Sequence, residues 1–306
     1  MSNLLHQQDI ISINDLTLDQ ITLVLDTAAR LKKKANPSLL AGKIIANCFF
    51  EPSTRTRLSF ETATLRLGGQ TIGFSSAENT STKKGESLSD SIKVINEYAD
   101  LIVIRHPQEG AARLAAEIAE KPVINAGDAA NQHPTQALVD LFTIHECQKK
   151  FDGLNIALVG DLKYGRTIHS LVQICAFFDI RLFLIAPEAL MLPDYLTDQL
   201  KKRSIRFSIH QSITEIIHKI DVLYMTRIQQ ERFGKSERHL LQDQFTLTSG
   251  ALAKAKTNLK ILHPLPRTNE IAVEIDSTPY AYYFEQAANG IPVRQALLSL
   301  ILTNKV

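Results

Sequence analysis

The stretch Phe49-Phe50-Glu51-Pro52-Ser53-Thr54-Arg55-Thr56-Arg57-Leu58-Ser59-Phe60-Glu61 ends one element and begins another. The apolar run from Ile44 to Phe50 reads as a buried strand. Pro52, which has no N–H to give to a ladder, stops it. Ser53 then stands where a helix N-cap belongs. Phe60, Ala63 and Leu67 recur at helical spacing, which predicts a helix from Thr54 onward. Unpaired backbone N–H groups, two Thr hydroxyls and the positive end of a helix dipole therefore converge beside Arg55, an arrangement suited to phosphate. Arginine adds a planar, permanently charged fork that matches phosphate oxygens. A merely capped surface helix would leave Ser-Thr-Arg-Thr-Arg within one turn unexplained.

Working outward, 306 residues are enough for two domains, each with its own core. A hydrophobic share of 44% and a charged share of 22% are those of a soluble globular chain. The 34 basic and 32 acidic residues give a net charge of +2, too balanced to indicate a nucleic-acid or membrane partner. Cys48, Cys147 and Cys175 are odd in number and far apart, so neither a disulfide framework nor a metal site is expected, and a reducing cytoplasm fits. The N-terminal residues lack a targeting pattern, and no apolar run reaches membrane-spanning length.

Around the opening stretch, residues 17–34 carry Leu18, Ile21, Leu25, Ala28 and Leu31 at helical intervals. Gly68-Gly69 ends the phosphate-side helix, and Thr71 to Phe74 forms a short strand. Residues 75–86, rich in Ser, Thr and Lys and without periodicity, read as a surface loop. A helix from Ser87 to Tyr98 and a strand from Leu101 to Ile104 follow, with Arg105 at the strand's C-terminal end. That edge is where open α/β sheets bind ligands. Pro122 to Asn125 is another strand. It leads to His133-Pro134-Thr135-Gln136, where His133 and Gln136 lie three apart across a helix start and can face one ligand.

The second half repeats the alternation. Leu154 to Val159 is a strand, and Gly160-Asp161-Leu162-Lys163-Tyr164-Gly165-Arg166-Thr167 nearly fits a P-loop, with Arg166 in the lysine's place. The alternative is a helix start whose arginine holds a carboxylate. Arg181–Ile185, Ile205–Ile209 and Val222–Tyr224 read as strands, with helices near 193–203 and 212–219. Arg227 is again a strand-end arginine, with Gln229 two residues on. Ile261 to Leu262 runs into His263-Pro264-Leu265-Pro266, a stiff turn that leaves backbone carbonyls open as acceptors. Helices at Tyr282–Ala288 and Val293–Leu302 close the chain. The pattern predicts an α/β fold of two domains, each a parallel sheet flanked by helices.

Ser53-Thr54-Arg55-Thr56-Arg57 with Ser59-Phe60-Glu61 resembles the carbamoyl-phosphate signature of the aspartate/ornithine carbamoyltransferase superfamily. His133-Pro134-Thr135-Gln136 resembles its second signature, Arg105 to Ala111 resembles a third stretch, and Gly160 to Thr167 is similar to the aspartate-binding turn of its aspartate branch. The resemblance covers essentially the whole chain. It implies a carbamoyl-phosphate-binding domain over 1–148 and an aspartate-binding domain over 149–306, with the active site in the cleft between them. The last helix, 291–306, is expected to pack back on the first domain. Carbamoyl phosphate would be bound by Ser53, Thr54, Arg55, Thr56, Arg105, His133, Gln136 and the carbonyls of Leu265 and Pro266. Among these, Arg55, Thr56, Arg105 and His133 would be catalytic. Aspartate would be held by Lys84, Arg166, Arg227 and Gln229, with Ser81 and Lys84 reaching in from a neighbouring subunit of a homotrimer.

The implied reaction joins carbamoyl phosphate and L-aspartate into N-carbamoyl-L-aspartate and phosphate, the committed step of pyrimidine biosynthesis, without metal or organic cofactor. Arg166, Arg227 and Lys84 favour a dicarboxylate over ornithine. The turn His263-Pro264-Leu265-Pro266 also lacks the Cys that the ornithine branch tends to carry there. Ornithine carbamoylation and a non-catalytic phosphate-binding module are the alternatives. Residues 232–240 diverge from the family pattern, and whether separate regulatory chains join the trimer stays open.

Overall fold

The computed structural model describes residues 3–228 and 245–304. The chain divides into two compact units, Met1–Phe142 with Asn289–Val306, and Thr143–Ala288. Each is an α/β domain built on a parallel sheet flanked by helices.

The first unit opens with α1 (Leu18–Lys33), held at its start by a capping box between Thr17 and Gln20. There follow β1 (Ile44–Phe49), α2 (Thr54–Arg66), β2 (Gln70–Phe74), α3 (Leu88–Asn96), β3 (Leu101–His106), α4 (Ala111–Ile118), β4 (Val123–Asp128) and α5 (Pro134–Gln148), whose residues from Thr143 on belong to the second unit. The strands pair in the order β2-β1-β3-β4, all parallel. The chain leaves β1 toward one side for β2 and returns to its other side for β3. The order therefore reverses between β1 and β3, the kind of position at whose C-terminal strand ends open α/β sheets bind ligands.

The second unit holds β5 (Leu154–Val159), α6 (Arg166–Cys175), β6 (Ile180–Ile185), α7 (Asp194–Lys202), β7 (Phe207–Ile209), β8 (Val222–Met225) and β9 (Lys260–Leu262). Their order is β7-β6-β5-β8-β9, again all parallel, so the reversal lies between β5 and β8. The last helix, α8 (Tyr283–Leu302), runs from one unit into the other.

Three local expectations change. The loop at 75–86 contains two short 3-10 turns, Ala77–Asn79 and Ser81–Lys84. Ser76 and Thr80 nucleate them by accepting the N–H groups of Glu78 and Thr82 on their hydroxyls. The helix expected near 212–219 is a 3-10 turn, Ile213–Glu215, followed by further turns over 216–219. Ile213, Ile216, Ile217 and Ile220 are buried at helix-like spacing, but the β-branched side chains reach the core from a tighter turn. The two closing helices are one, with Pro292 inside it. An interior proline costs about 3 kcal/mol, but burial of Val293, Leu297, Leu298, Leu300 and Ile301 outweighs it, at about 1.5–3 kcal/mol per side chain. Among the described residues no helix is long and apolar enough to cross a membrane.

Candidate active site

In the first unit, the C-terminal edge of the sheet collects the residues the sequence singles out. Ser53 occupies the N-cap of α2, but its side chain makes no capping hydrogen bond. The first turn carries no acid, and Thr54 and Arg55 are exposed while Thr56 is buried. Although Arg55 is exposed, the surrounding protein removes part of the hydration of its guanidinium and lowers its pKa from the usual value. Arg57 differs: its Nε donates to Glu61 at 2.7 Å, an (i, i+4) pair on the helix surface. The two arginines of the signature thus separate into a helix-start cation and a helix-face ion pair.

Arg105 lies inside β3, opposite Phe49 of β1, at the point of reversal. Its Nη2 meets Glu51 at 2.6 Å, and Nη1 donates to the Ala126 carbonyl at 3.4 Å. The guanidinium is therefore aimed by acceptors on either side. His133 is buried immediately ahead of α5, where its carbonyl accepts the N–H groups of Gln136 and Ala137. Thr135 Oγ1 lies 3.5 Å from His133 Nδ1. Gln136 sits in the first turn of α5, with its Nε2 donating to Asp140 at 2.7 Å. Ser81 and Lys84 are exposed on the second 3-10 turn, and the loop's start is tied to the β1 end by Ala77 N–H donating to the Phe50 carbonyl.

Asp128 holds this edge together, although no motif marks it. Oδ1 accepts from Asn125 Nδ2 and Gln132 N–H, and Oδ2 accepts from Gly110 N–H and Asn131 Nδ2. One buried carboxylate thus fixes the start of α4 and the turn that delivers His133.

In the second unit, Arg166 opens α6 and Arg227 follows β8, the two elements flanking the reversal. They are stitched by Thr226, whose Oγ1 accepts the Asp161 N–H at 3.0 Å. Gly160 has φ +117, and an added Cβ would lie 2.4 Å from the Thr226 carbonyl oxygen, so only glycine lets these strand ends approach. Buried Asp161 accepts the N–H groups of Lys163 and Tyr164 at 3.2 and 2.9 Å. A P-loop offers such N–H groups to phosphates; here the protein's own carboxylate uses them. Leu265 and Pro266 follow β9, joined by a cis peptide, and Leu265 has φ +56. Gln229 lies outside the described residues, as do 232–240.

The Leu265 turn is held by a buried relay absent from the sequence reading. Leu265 N–H donates to His263 Nδ1 at 2.8 Å, which leaves the ring proton on Nε2, 2.7 Å from Glu270 Oε1. The other Glu270 oxygen accepts from Thr268 N–H, Thr268 Oγ1 and Asn269 N–H. Asp128 and Asp161 could have been suspected from their places at strand ends. Glu270 has no such signal, because its main partner lies seven residues away across the turn.

Residues 8–146 match the family model described as aspartate/ornithine carbamoyltransferase, carbamoyl-P binding domain, and residues 152–301 match its Asp/Orn binding domain. The chain belongs to the aspartate/ornithine carbamoyltransferase family. Within it, the chain is 56% identical to the aspartate carbamoyltransferase catalytic subunit of Vibrio campbellii, covering 99% of both chains. It also superposes on the catalytic subunit of M. jannaschii aspartate transcarbamoylase with TM-score 0.90 and 46% identity, covering 95% of this chain and 97% of that one. The Trypanosoma cruzi aspartate transcarbamoylase, solved with carbamoyl phosphate and aspartate, superposes with TM-score 0.91 at 35% identity, covering 98% and 96%.

Burial pushes the Glu270 carboxyl up, but the hydrogen bond from His263 and those from backbone N–H groups prevail and hold it down to about 2. A carboxylate with a depressed folded-state pKa stabilises above its ordinary value of 4.5 and loses that contribution as pH falls toward 2. Glu270→Gln should therefore unfold at lower urea than wild type at pH 7, with the gap narrowing as pH drops from 5 to 3, each pH being an approximate setting. A gap independent of pH would remove Glu270 from the ionised relay.

Proposed function

We propose that this chain is the catalytic chain of an aspartate carbamoyltransferase, converting carbamoyl phosphate and L-aspartate to N-carbamoyl-L-aspartate and phosphate in the cytoplasm. The reading makes it the committed step of pyrimidine biosynthesis. One observation carries it. Each unit brings its own set of anion-binding groups to the reversal of its own sheet: the α2 start with Arg105 in the first, and Arg166 with Arg227 in the second. The relatives named above add the two substrates.

In this reading Ser53, Thr54, Arg55, Thr56 and the α2 N-terminus hold the phosphate. Gln136 and the carbonyls of Leu265 and Pro266 hold the carbamoyl NH₂. Arg166, Arg227 and Gln229 hold the aspartate carboxylates, together with Lys84 of a neighbouring subunit and Ser81 beside it. The neutral α-amine attacks the carbamoyl carbon, and negative charge gathers on the former carbonyl oxygen. Thr56, Arg105 and His133 stabilise that charge with donors already in place. Arg55 and the helix dipole neutralise the departing phosphate, which can take the amine proton. The bonds made and broken balance without a redox step.

A homotrimer is part of the proposal. Leu58 and Leu65 on α2 and Ile72 on the edge strand β2 are exposed, as association surfaces are. Ornithine remains the competing substrate, and a colorimetric assay for carbamoyl-aspartate, run beside one for citrulline, decides between them.

Three outcomes are expected. Arg105→Ala should lose about 10²–10³ in kcat, because a donor to a developing oxyanion is removed. A raised KM with near-normal kcat would instead make Arg105 a ground-state contact. Arg227→Ala should raise the aspartate KM at least tenfold, roughly the loss of one charge-assisted hydrogen bond, and leave carbamoyl phosphate binding intact. Comparable turnover of ornithine would overturn the substrate assignment. Finally, inactive Arg55→Ala and Lys84→Ala chains, dissociated together and allowed to reassemble, should regain about one quarter of wild-type activity. About three-quarters of random trimers are mixed, and cyclic symmetry gives each of them one intact site in three. Reassembled mixtures as inactive as their parents would mean that Lys84 serves its own chain.

A further inference from the structure

The carboxamide of Gln136 has two ends of similar shape and opposite chemistry: Nε2 only donates, and Oε1 only accepts. A carbamoyl NH₂ can be read by Oε1 and not by Nε2. Which end points at the ligand therefore matters, and the side chain's shape does not decide it. Asp140, one turn along α5 and fully buried, does. Gln136 Nε2 lies 2.7 Å from its Oδ1. An ionised carboxylate accepts and cannot donate, so only the amino end of the carboxamide can bond to it.

A counter-charge for that carboxylate comes from the far end of the chain. Arg294 on α8 is 3% exposed and interacts electrostatically with Asp140. Burial pulls the Arg294 pKa down to about 10 while Asp140 pulls it up, so the guanidinium still carries its charge at neutral pH. Its central carbon stands 5.0 Å from the Phe60 ring of α2. An added Cβ at Gly290 would lie 2.4 Å from its Nη1, so the bare glycine makes the room. Arg294 Nε is buried without a hydrogen-bond partner among the described residues. Two buried opposite charges, one of them with an unsatisfied donor, are poor stabilisers, and apolar side chains of similar volume would serve packing as well or better. The two charges make sense as a means of orienting what Asp140 touches.

We propose that Asp140, with Arg294 as its counter-charge, is a positioning residue that pins the Nε2 end of Gln136 and so presents Oε1 as the acceptor distinguishing a carbamoyl NH₂ from an acetyl CH₃. The inference rests on the assignment of Gln136 to the carbamoyl amide made under the proposed function. In Asp140→Asn the partner can donate as readily as accept, and the Gln136 carboxamide is no longer held in one sense.

The test is selectivity, which a purely structural role would not move. For wild type, Gln136→Ala and Asp140→Asn, the inhibition constant of acetyl phosphate is divided by the KM of carbamoyl phosphate, with inorganic phosphate affinity as the control for the phosphate end. Both variants should lose selectivity by about tenfold, the scale of one hydrogen bond, with phosphate affinity unchanged. Selectivity lost in Gln136→Ala but kept in Asp140→Asn overturns the role of Asp140. Selectivity kept in both overturns the assignment of Gln136 itself. Should Asp140→Asn misfold around an unpaired Arg294, the neutralised pair Asp140→Asn/Arg294→Met must show the same loss. A measurement on unaltered protein stands apart from any folding defect. The Nε2 protons of Gln136, assigned by their absence in Gln136→Ala, should exchange slowly with water before ligand is added. Fast exchange overturns the proposal.

Discussion

Where a parallel strand hands the chain to a helix, the strand's last carbonyls and the helix's first N–H groups are left without ladder partners on the same edge of the sheet. Everything at the candidate site depends on how this chain meets that constraint. At the start of α2 the N–H groups have neither an acidic residue nor a side-chain cap to meet them, and Arg55 stands among them. At the other turns of the edge the protein supplies the partners itself.

Those partners are buried carboxylates. Asp128 accepts from Gly110, Asn125, Asn131 and Gln132; Asp161 from Lys163 and Tyr164; Glu270 from His263, Thr268 and Asn269. Each fixes a turn that carries a residue of the proposed site: His133, Arg166 and Leu265. A carboxylate saturated with donors in a low-dielectric setting resists movement, because each lost bond strands a buried charge. Donors and acceptors aimed in advance then need no reorganisation when charge develops in the reaction. Asp140 extends the same device from backbone to a side-chain amide.

The sequence made most of the elements legible and marked the residues proposed for the site. Periodicity placed α2, α5 and the strands β1, β3, β5 and β8 to within a residue or two, since each has a strong apolar pattern and all but β8 have a Pro, Gly or Ser at or near a boundary. Where the pattern was degenerate it misled. Isoleucines at helical spacing serve a 3-10 turn at 213–215, and Pro292 marks no break, because packing along α8 overrides local propensity.

By itself, then, the sequence determined which chemistry is present: the Ser-Thr-Arg-Thr-Arg helix start, the strand-end arginines Arg105 and Arg227, and the His133–Gln136 pair, all encoded in short, contiguous runs. Only the tertiary structure decided how those groups are aimed. The Glu51 partner of Arg105, the Asp128 clamp and the Glu270–His263 relay join residues that no local pattern links. Arg294 reaches Asp140 from 154 positions further along the chain, the difference of the two residue numbers. Periodicity reports which face of an element is apolar. It carries no record of which buried charge finds which distant donor, since that pairing is set by burial and geometry after the sheets have assembled.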